Sequence, residues 1–222
     1  WVREKLKRDS LLEFLDQGDP RAECAYAFMC FLGKGGRVNL AAAREYFEKA
    51  ALQGCKDAQV EYAKMCYKGT AGERDLGAAR HYFKKSADRG DCESQLKYAF
   101  MCQKSEGGQE DLVSARIYFK KAAGQGNQEA MFEYAMESYR SGDFNEARAY
   151  LKQSADLGCM KSQYNYAFMC YESEFYESAL EYYKKAAEQG CVKSQNAYAF
   201  MCYKGKAGSI DFTEAREFFK RA

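Results

Sequence analysis

Residues 55–90 read CKDAQVEYAKMCYKGTAGERDLGAARHYFKKSADRG, and this stretch decides the fold because its plan recurs along the chain. Ala58, Tyr62 and Cys66 are spaced by four residues, which places them on one face of an amphipathic helix, named helix A. A glycine-containing loop follows, and a second pattern of alanines and aromatics at helical spacing, named helix B, ends before Gly90. The stretch therefore predicts a pair of helices.

The Tyr-Ala pair of helix A returns six times, and a glycine stands eight residues before each tyrosine. The tyrosines are Tyr26, Tyr62, Tyr98, Tyr134, Tyr166 and Tyr198, and the glycines are Gly18, Gly54, Gly90, Gly126, Gly158 and Gly190. A fixed offset of this kind marks a helical repeat, whose units bury their apolar faces on their neighbours. The sequence predicts an all-α protein that offers an extended surface for binding.

The repeat spacing also predicts how the chain is organised. We expect an N-terminal half-repeat or capping helix at 1–18, then repeats at 19–54, 55–90, 91–126, 127–158, 159–190 and, truncated, at 191–222. The distance from the repeat tyrosine to the matching alanine of helix B is 17 residues, but 13 in copies four and five, which have lost four loop residues. Because the single proline leaves no Pro-rich linker, we expect one continuous domain. The last repeat stops before the glycine that closes helix B in the earlier copies, so we also expect a fragment of a longer protein.

Polar residues precede helix B in most copies, where a side-chain oxygen can accept the free N–H groups of the first turn. These expected N-caps are Asn39, Asp75, Asp111, Asp143 and Asp211, while copy five has Phe175 near this place. The glycine that closes each helix B fits a left-handed position, which glycine occupies without steric cost.

The charge balance disfavours some partners. The chain has 34 basic and 32 acidic residues, a net charge of +2, whereas a domain that binds nucleic acid usually has a stronger basic excess. No apolar run approaches the ~18 residues of a membrane span, so we expect no membrane insertion.

Ten cysteines occur, and five of them follow the repeat tyrosine by four residues. Cys55, Cys159 and Cys191 lie eleven residues upstream of such a cysteine, about 16 Å along a helix, which is too far for a bridge within it. We expect reduced thiols that serve as small core residues, with bridges between repeats left open. A reducing intracellular compartment follows, with the cytoplasm favoured.

Signals for chemistry are weak. His81 is the only histidine, and no Cys-x-x-Cys occurs, so neither a metal site nor a histidine-dependent catalytic relay is expected. Gly33-Lys34-Gly35-Gly36 joins two helices and does not follow a strand, which makes it a loop and not a phosphate site. We expect no enzyme activity, no catalytic residue and no cofactor.

The unit resembles the Sel1-like repeat, a relative of the tetratricopeptide repeat. The resemblance rests on these residues of the second copy: Ala58, Tyr62-Ala63, Met65-Cys66, Gly69, Gly72, Asp75, Ala79, Tyr82-Phe83, Lys85-Ser86-Ala87 and Arg89-Gly90. Tyr-Ala replaces the family's usual Leu-Gly, and cysteine replaces a tyrosine at the end of helix A. The resemblance implies a right-handed α-solenoid, or superhelix, of antiparallel helix pairs with the A helices on its concave side. Some members have disulfides from the end of helix B, where this chain has no cysteine.

On that concave side, the positions two before, two after and five after the repeat tyrosine are mostly aromatic or apolar, with cations beside them. The expected peptide- or protein-binding residues are Phe28, Phe31, Lys64, Tyr67, Lys68, Phe100, Lys104, Phe132, Tyr139, Arg140, Tyr164, Phe168, Tyr171, Phe200, Tyr203 and Lys204. Alternatively, the phenylalanines fill the seam between successive A helices. The Tyr67-type positions are the better candidates for exposure, because tyrosine can keep its hydroxyl in water.

The main hypothesis is a protein–protein interaction scaffold or adaptor that binds a peptide or protein segment, with lysines receiving carboxylates or a chain terminus. Two alternatives stay open. The chain is a regulatory or substrate-recruiting arm of a larger enzyme, or it binds single-stranded RNA by stacking aromatics on bases. Self-association through the truncated C-terminal end is a further hypothesis.

Overall fold

The computed structural model describes residues 11, 14, 15 and 17–222. Over these residues it contains twelve helices and no strand, which confirms the predicted all-α class. The helices are α1 Pro20–Leu32, α2 Leu40–Leu52, α3 Lys56–Lys68, α4 Leu76–Asp88, α5 Cys92–Gln103, α6 Leu112–Gly124, α7 Gln128–Arg140, α8 Phe144–Asp156, α9 Met160–Glu172, α10 Tyr176–Glu188, α11 Val192–Lys204 and α12 Phe212–Arg221. Odd-numbered helices are the predicted A helices and even-numbered ones the B helices. The predicted half-repeat at 1–18 lies outside the described residues except at 11, 14, 15, 17 and 18.

The chain forms two compact units, residues 1–121 and residues 122–222. In the first unit each helix from α1 to α4 packs on the next helix in sequence, and in the second unit each helix from α7 to α11 does so. Contact between sequence neighbours is how stacked helix pairs bury their apolar faces. None of the helices in the described part of the chain has the length and apolar character needed to cross a bilayer.

The predicted helix ends are confirmed. The backbone N–H of Ala78 donates to Asp75 Oδ1 at 2.8 Å, and Asn39, Asp111, Asp143 and Asp211 cap their B helices in the same way. Phe175 stands at the equivalent position of α10 and makes no side-chain cap bond. Gly90, which closes α4, has φ +98°, a conformation that side chains with a Cβ rarely adopt.

The core of each unit is built from the repeat positions. Tyr62 meets Tyr82 edge to face with ring centroids 5.3 Å apart, and Tyr98 meets Tyr118 in the same way at 4.8 Å. The alanines after the repeat tyrosines are fully buried, so the helices approach closely. All ten cysteines are free thiols, and those four residues after the tyrosine are buried, as predicted for small core residues.

Buried glutamines tie four of the A helices, α3, α5, α9 and α11, to the helix B before each of them. Gln59 donates from Nε2 to the carbonyl oxygen of Ala51 at 3.0 Å, and its Oε1 accepts from Arg89 at 2.9 Å. The side chains of Gln95, Gln163 and Gln195 make the equivalent bond to a carbonyl at the end of helix B. Gln59 and Gln163 are tolerated in this core because both the amide nitrogen and the amide oxygen are hydrogen-bonded, whereas Oε1 of Gln195 is buried without a partner.

Arginines of helix B hold the A–B loop of the following repeat. Arg44 donates to the carbonyl oxygens of Thr70 at 3.1 Å and Glu73 at 3.0 Å. Its guanidinium lies so close to Gly72 that a Cβ there would stand 2.6 Å from Nη1. Gly72 is therefore required by packing, because a side chain with a Cβ at this position would prevent the guanidinium from reaching the loop backbone.

Candidate functional site

Most of the predicted binding residues in the first unit are engaged in internal contacts. Phe28 and Phe31 are half-buried and face Phe47, with ring centroids 4.9 Å and 6.5 Å apart. Phe100 is half-buried against Phe119 at 5.1 Å. These phenylalanines therefore pack on helix B of their own repeat, whereas the alternative interpretation placed them in the seam between successive A helices.

Tyr67 and Lys64 are also engaged within the first unit. The Tyr67 hydroxyl donates to Glu106 at 3.0 Å, and the Arg74 guanidinium lies over its ring at 5.0 Å from the centroid. Burial, then the hydrogen bond to Glu106, raises the pKa of Tyr67. Lys64 forms ion pairs with Glu61 at 3.2 Å and Glu93 at 2.9 Å. Lys68 and Lys104, in contrast, are exposed.

In the second unit, four of the predicted aromatic residues are exposed. Tyr139 is 39% exposed, Phe168 41%, Phe200 43% and Tyr203 46%. The phenylalanines are thus as exposed as the tyrosines, contrary to the expectation that the tyrosine positions would stand out. The other predicted residues of this unit are half-buried Phe132, Tyr164 and Tyr171, and exposed Arg140 and Lys204.

Loop length accounts for part of this difference. Glu106, which covers Tyr67, belongs to the long A–B loop of the third repeat, whereas the corresponding loop after α9 is four residues shorter. Tyr139, the counterpart of Tyr67 in the fourth repeat, meets Phe144 edge to face at 5.1 Å between ring centroids and is 39% exposed. The shortened loop of the fifth repeat thus leaves Tyr139 in contact with solvent.

Two of these exposed aromatics, Phe168 and Phe200, line a cleft between α9 and α11 with a volume of about 490 Å³. Four predicted residues meet there, namely Tyr164, Phe168, Tyr171 and Phe200. The remaining lining residues are Glu172, Tyr183, Asn196, Ala197, Met201 and Phe219. A mostly apolar cleft of this size, with a few polar groups at its edge, is typical of a binding site.

Phe168 joins this cleft to a second one. Tyr139, Phe144, Arg148, Met169, Glu172 and Ser173 line the second cleft together with Phe168, and its volume is about 350 Å³. Phe168 therefore stands between two depressions of the same surface and can contact a ligand in either. We name this surface, with both clefts, the aromatic face.

Lysines surround the aromatic face. The Nζ atom of Lys193 lies 5.9 Å from the Tyr164 ring centroid, and that of Lys204 lies 5.8 Å from the Phe200 ring and 5.1 Å from the Tyr203 ring. Nearby on α7, burial raises the pKa of Glu133, and Lys161 opposes that shift. The lysine stems extend the apolar surface while their charges stay at the rim.

Two lining residues, Tyr183 and Phe219, were not predicted, although the repeat pattern contains the signal. Both stand four residues after the alanine that recurs in every helix B, where the other repeats have Phe47, Phe83, Phe119 and Leu151. Those four residues are buried and so is Tyr183, but Phe219 is 47% exposed. Helix B thus contributes to the floor and wall of a cleft that was predicted from helix A alone.

Taken together, the fold and the aromatic face define a helical-repeat protein with a surface suited to binding. The Sel1 repeat family model matches residues 20–55, 56–91, 92–127, 128–159, 161–191 and 192–222. The chain therefore belongs to the Sel1 repeat family, as the sequence resemblance predicted, and its fold is an α-solenoid of helix pairs. Members of this family are generally protein-interaction scaffolds and typically non-catalytic.

Solved structures agree on the fold. A Sel1 repeat protein from Oxalobacter formigenes is 20% identical, with a TM-score of 0.67 over 98% of this chain and 96% of that one. The protein c5321, a protective antigen of uropathogenic Escherichia coli with an SLR fold, is 22% identical with a TM-score of 0.66. The alignment covers 98% of this chain but only 56% of c5321. A comparison with curated proteins found no match.

Proposed function

We propose that this chain is a non-catalytic scaffold that binds a peptide or protein segment on the aromatic face of its second unit. The observation that carries the proposal is the cleft between α9 and α11, where Phe168 and Phe200 are 41% and 43% exposed and line one apolar depression. Clustered exposed aromatics are uncommon on a surface without a binding role. The general role of Sel1 repeat proteins supports the same conclusion.

The energetics favour a partner that inserts side chains into the cleft. Burying a fully exposed phenylalanine side chain contributes about 1.5–3 kcal/mol. Because Phe168 and Phe200 are 41% and 43% exposed, covering both offers about 1–2.5 kcal/mol before the costs of association. Aromatic residues in a partly preformed pocket are the usual energetic centres of protein interfaces. The lining tyrosines of α9 are packed against α10. Tyr164 contacts Tyr183 and Tyr171 contacts Tyr176, with ring centroids 5.9 Å and 5.6 Å apart.

A selection from a random library of 12-residue peptides displayed on phage tests the proposal. The bait is the full chain, compared with a Phe168→Ala/Phe200→Ala variant and with Leu157→Ala as a control. Leu157 is 53% exposed and lies outside both clefts, so its replacement removes a similar apolar area elsewhere in the same unit. We expect selected peptides to lose roughly 30-fold or more in affinity for the double variant and to keep their affinity for the control.

Equal peptide binding by all three proteins, or no enrichment at all, would refute the proposal. Circular dichroism and thermal unfolding of each variant measure whether the fold is retained, and we expect it to be, because none of the substituted side chains is fully buried. We also propose a reducing intracellular compartment on the basis of the ten free cysteines, several of which are buried in helix packing.

A further inference from the structure

The two units differ in the charges beside their A helices. In the first unit, Lys64 of α3 forms an ion pair with Glu93, the second residue of the next A helix, at 2.9 Å. At the same two repeat positions, the second unit has Phe168 on α9 and Lys193 on α11. The ion pair is thus replaced by an exposed aromatic ring beside a lysine.

Neither Lys193 nor Lys204 is in an ion pair with any residue that the structure describes. Both lysines rest over aromatic rings at the rim of the aromatic face, Lys193 over Tyr164 and Lys204 over Phe200 and Tyr203. Their charges are therefore available to a bound molecule. This differs from Lys184 and Lys185 on α10, whose charges are matched by Glu214 at 2.6 Å and Glu181 at 2.5 Å.

The positions of the two lysines suggest the spacing of complementary groups. Lys193 and Lys204 are eleven residues apart on α11, about 16 Å along the helix axis, and the cleft opens beside this helix. An extended segment covers that distance with roughly five residues at ~3.3 Å each. One carboxylate, Glu172, lines the cleft, and it lies on α9, away from the α11 edge where both lysines are found.

Resting on the proposed function, we infer that the partner segment has one or two large apolar side chains with carboxylates on both sides. The apolar side chains enter the cleft between Phe168 and Phe200, and the flanking Asp or Glu residues meet Lys193 and Lys204. The charges fix the register of the segment and speed its association, while the apolar contacts supply most of the affinity.

The sequences of the selected peptides give the first test. We expect Asp or Glu within about three residues on each side of an aromatic or large aliphatic residue. Peptides that depend on Phe168 and Phe200 but are neutral or basic beside the apolar residue would overturn this inference and leave the proposed function standing. Peptides that do not depend on these phenylalanines, or a selection without enrichment, would overturn both.

A charge exchange gives the second test, measured by fluorescence anisotropy with one selected acidic peptide and a copy in which lysines replace its acidic residues. The variant Lys193→Glu/Lys204→Glu should bind the acidic peptide about tenfold more weakly at low salt and should bind the lysine copy better than the wild type does. Lys56→Glu, at an exposed lysine of the first unit, should change neither affinity. An unchanged affinity of the Lys193→Glu/Lys204→Glu variant for the acidic peptide would refute the inference.

Discussion

Replacing Arg44 by leucine tests how one repeat holds the loop of the next. Arg44 of α2 makes two hydrogen bonds to loop carbonyls, to Thr70 at 3.1 Å and Glu73 at 3.0 Å, and approaches Cys66 Sγ at 3.9 Å. The chain contains a natural counterpart of this change, because Leu180 stands at the equivalent position of α10. A Cβ added at Gly208, in the loop that follows Leu180, would meet no atom within 4 Å.

The magnitude follows from the two hydrogen bonds. A hydrogen bond to a charged group contributes about 1.5–3 kcal/mol when buried, and partial exposure of the guanidinium reduces this, so we expect a combined loss of about 2 kcal/mol. A loss of that size corresponds to roughly a 30-fold larger opening constant for the loop. The effect should be local, because the loop amides are bonded to their own helix, Thr70 to Met65 at 2.9 Å and Asp75 to Cys66 at 3.0 Å.

Amide hydrogen exchange followed by mass spectrometry measures the prediction directly. In Arg44→Leu, the amides of residues 69–75 should exchange roughly 30-fold faster, while those of the second unit keep their rates. Arg37→Leu, at an exposed arginine, is the matched control and should leave the loop unchanged. The reverse change, Leu180→Arg, should slow exchange at residues 205–210. An exchange rate that rises equally along the whole chain, or does not rise in the loop, would contradict the proposed role of Arg44 in holding this loop.

Three further predictions concern stability, each measured by urea unfolding. Burial raises the pKa of Asp88, but the hydrogen bond from Tyr118 outweighs it and holds that pKa below its usual value, so the stabilisation is present above about pH 4 and is lost as pH falls through the lowered pKa. Tyr118→Phe should therefore destabilise the protein at pH 7 and much less near pH 2. The control is Tyr150→Phe, which should show no such difference because glycine, Gly124, stands where Asp88 would be. Phe175→Asp should raise the free energy of unfolding by about 1 kcal/mol, because aspartate supplies the missing N-cap of α10. An unchanged stability would show that the missing cap does not weaken this helix. Gln59→Met should lower the free energy of unfolding by about 2 kcal/mol because two hydrogen bonds are lost. A loss under about 0.5 kcal/mol would show that the hydrogen bonds of this buried glutamine contribute little.

Signals that act within one repeat were predictable from the sequence. Asp75 caps the helix that follows it, and Gly90 adopts its positive φ where the chain turns into the next helix, because both effects involve only a few neighbouring residues. The buried tyrosines and alanines followed from helical periodicity for the same reason. For the helices and their caps, one copy of the repeat therefore contained enough information.

The binding surface was less predictable because it depends on contacts between repeats. Phe28 and Phe168 occupy the same position in their repeats, yet Phe28 packs on Phe47 and Phe168 is 41% exposed. Position within the repeat cannot separate these cases, since exposure is decided by the side chains of the neighbouring helix and by the length of the next loop. The glutamine and arginine contacts were missed in the same way, although Gln59 and Arg44 recur at fixed places in the repeat.

Differences between the repeats support the proposed binding role of the second unit. On α3 of the first unit, the A-helix surface is closed by internal contacts, namely the Lys64–Glu93 ion pair and the Tyr67–Glu106 hydrogen bond. Phe168 follows the repeat pattern, since Phe28, Phe100 and Phe200 stand at the same position. The second unit differs in the shortened loop of the fifth repeat and in Lys193, which stands where the second and third repeats have Asp57 and Glu93. Both changes expose apolar surface or leave a charge unmatched, which does not help an isolated chain. The exposed ring and the unmatched charge become favourable only when a partner supplies the missing contacts, so these differences between repeats support binding.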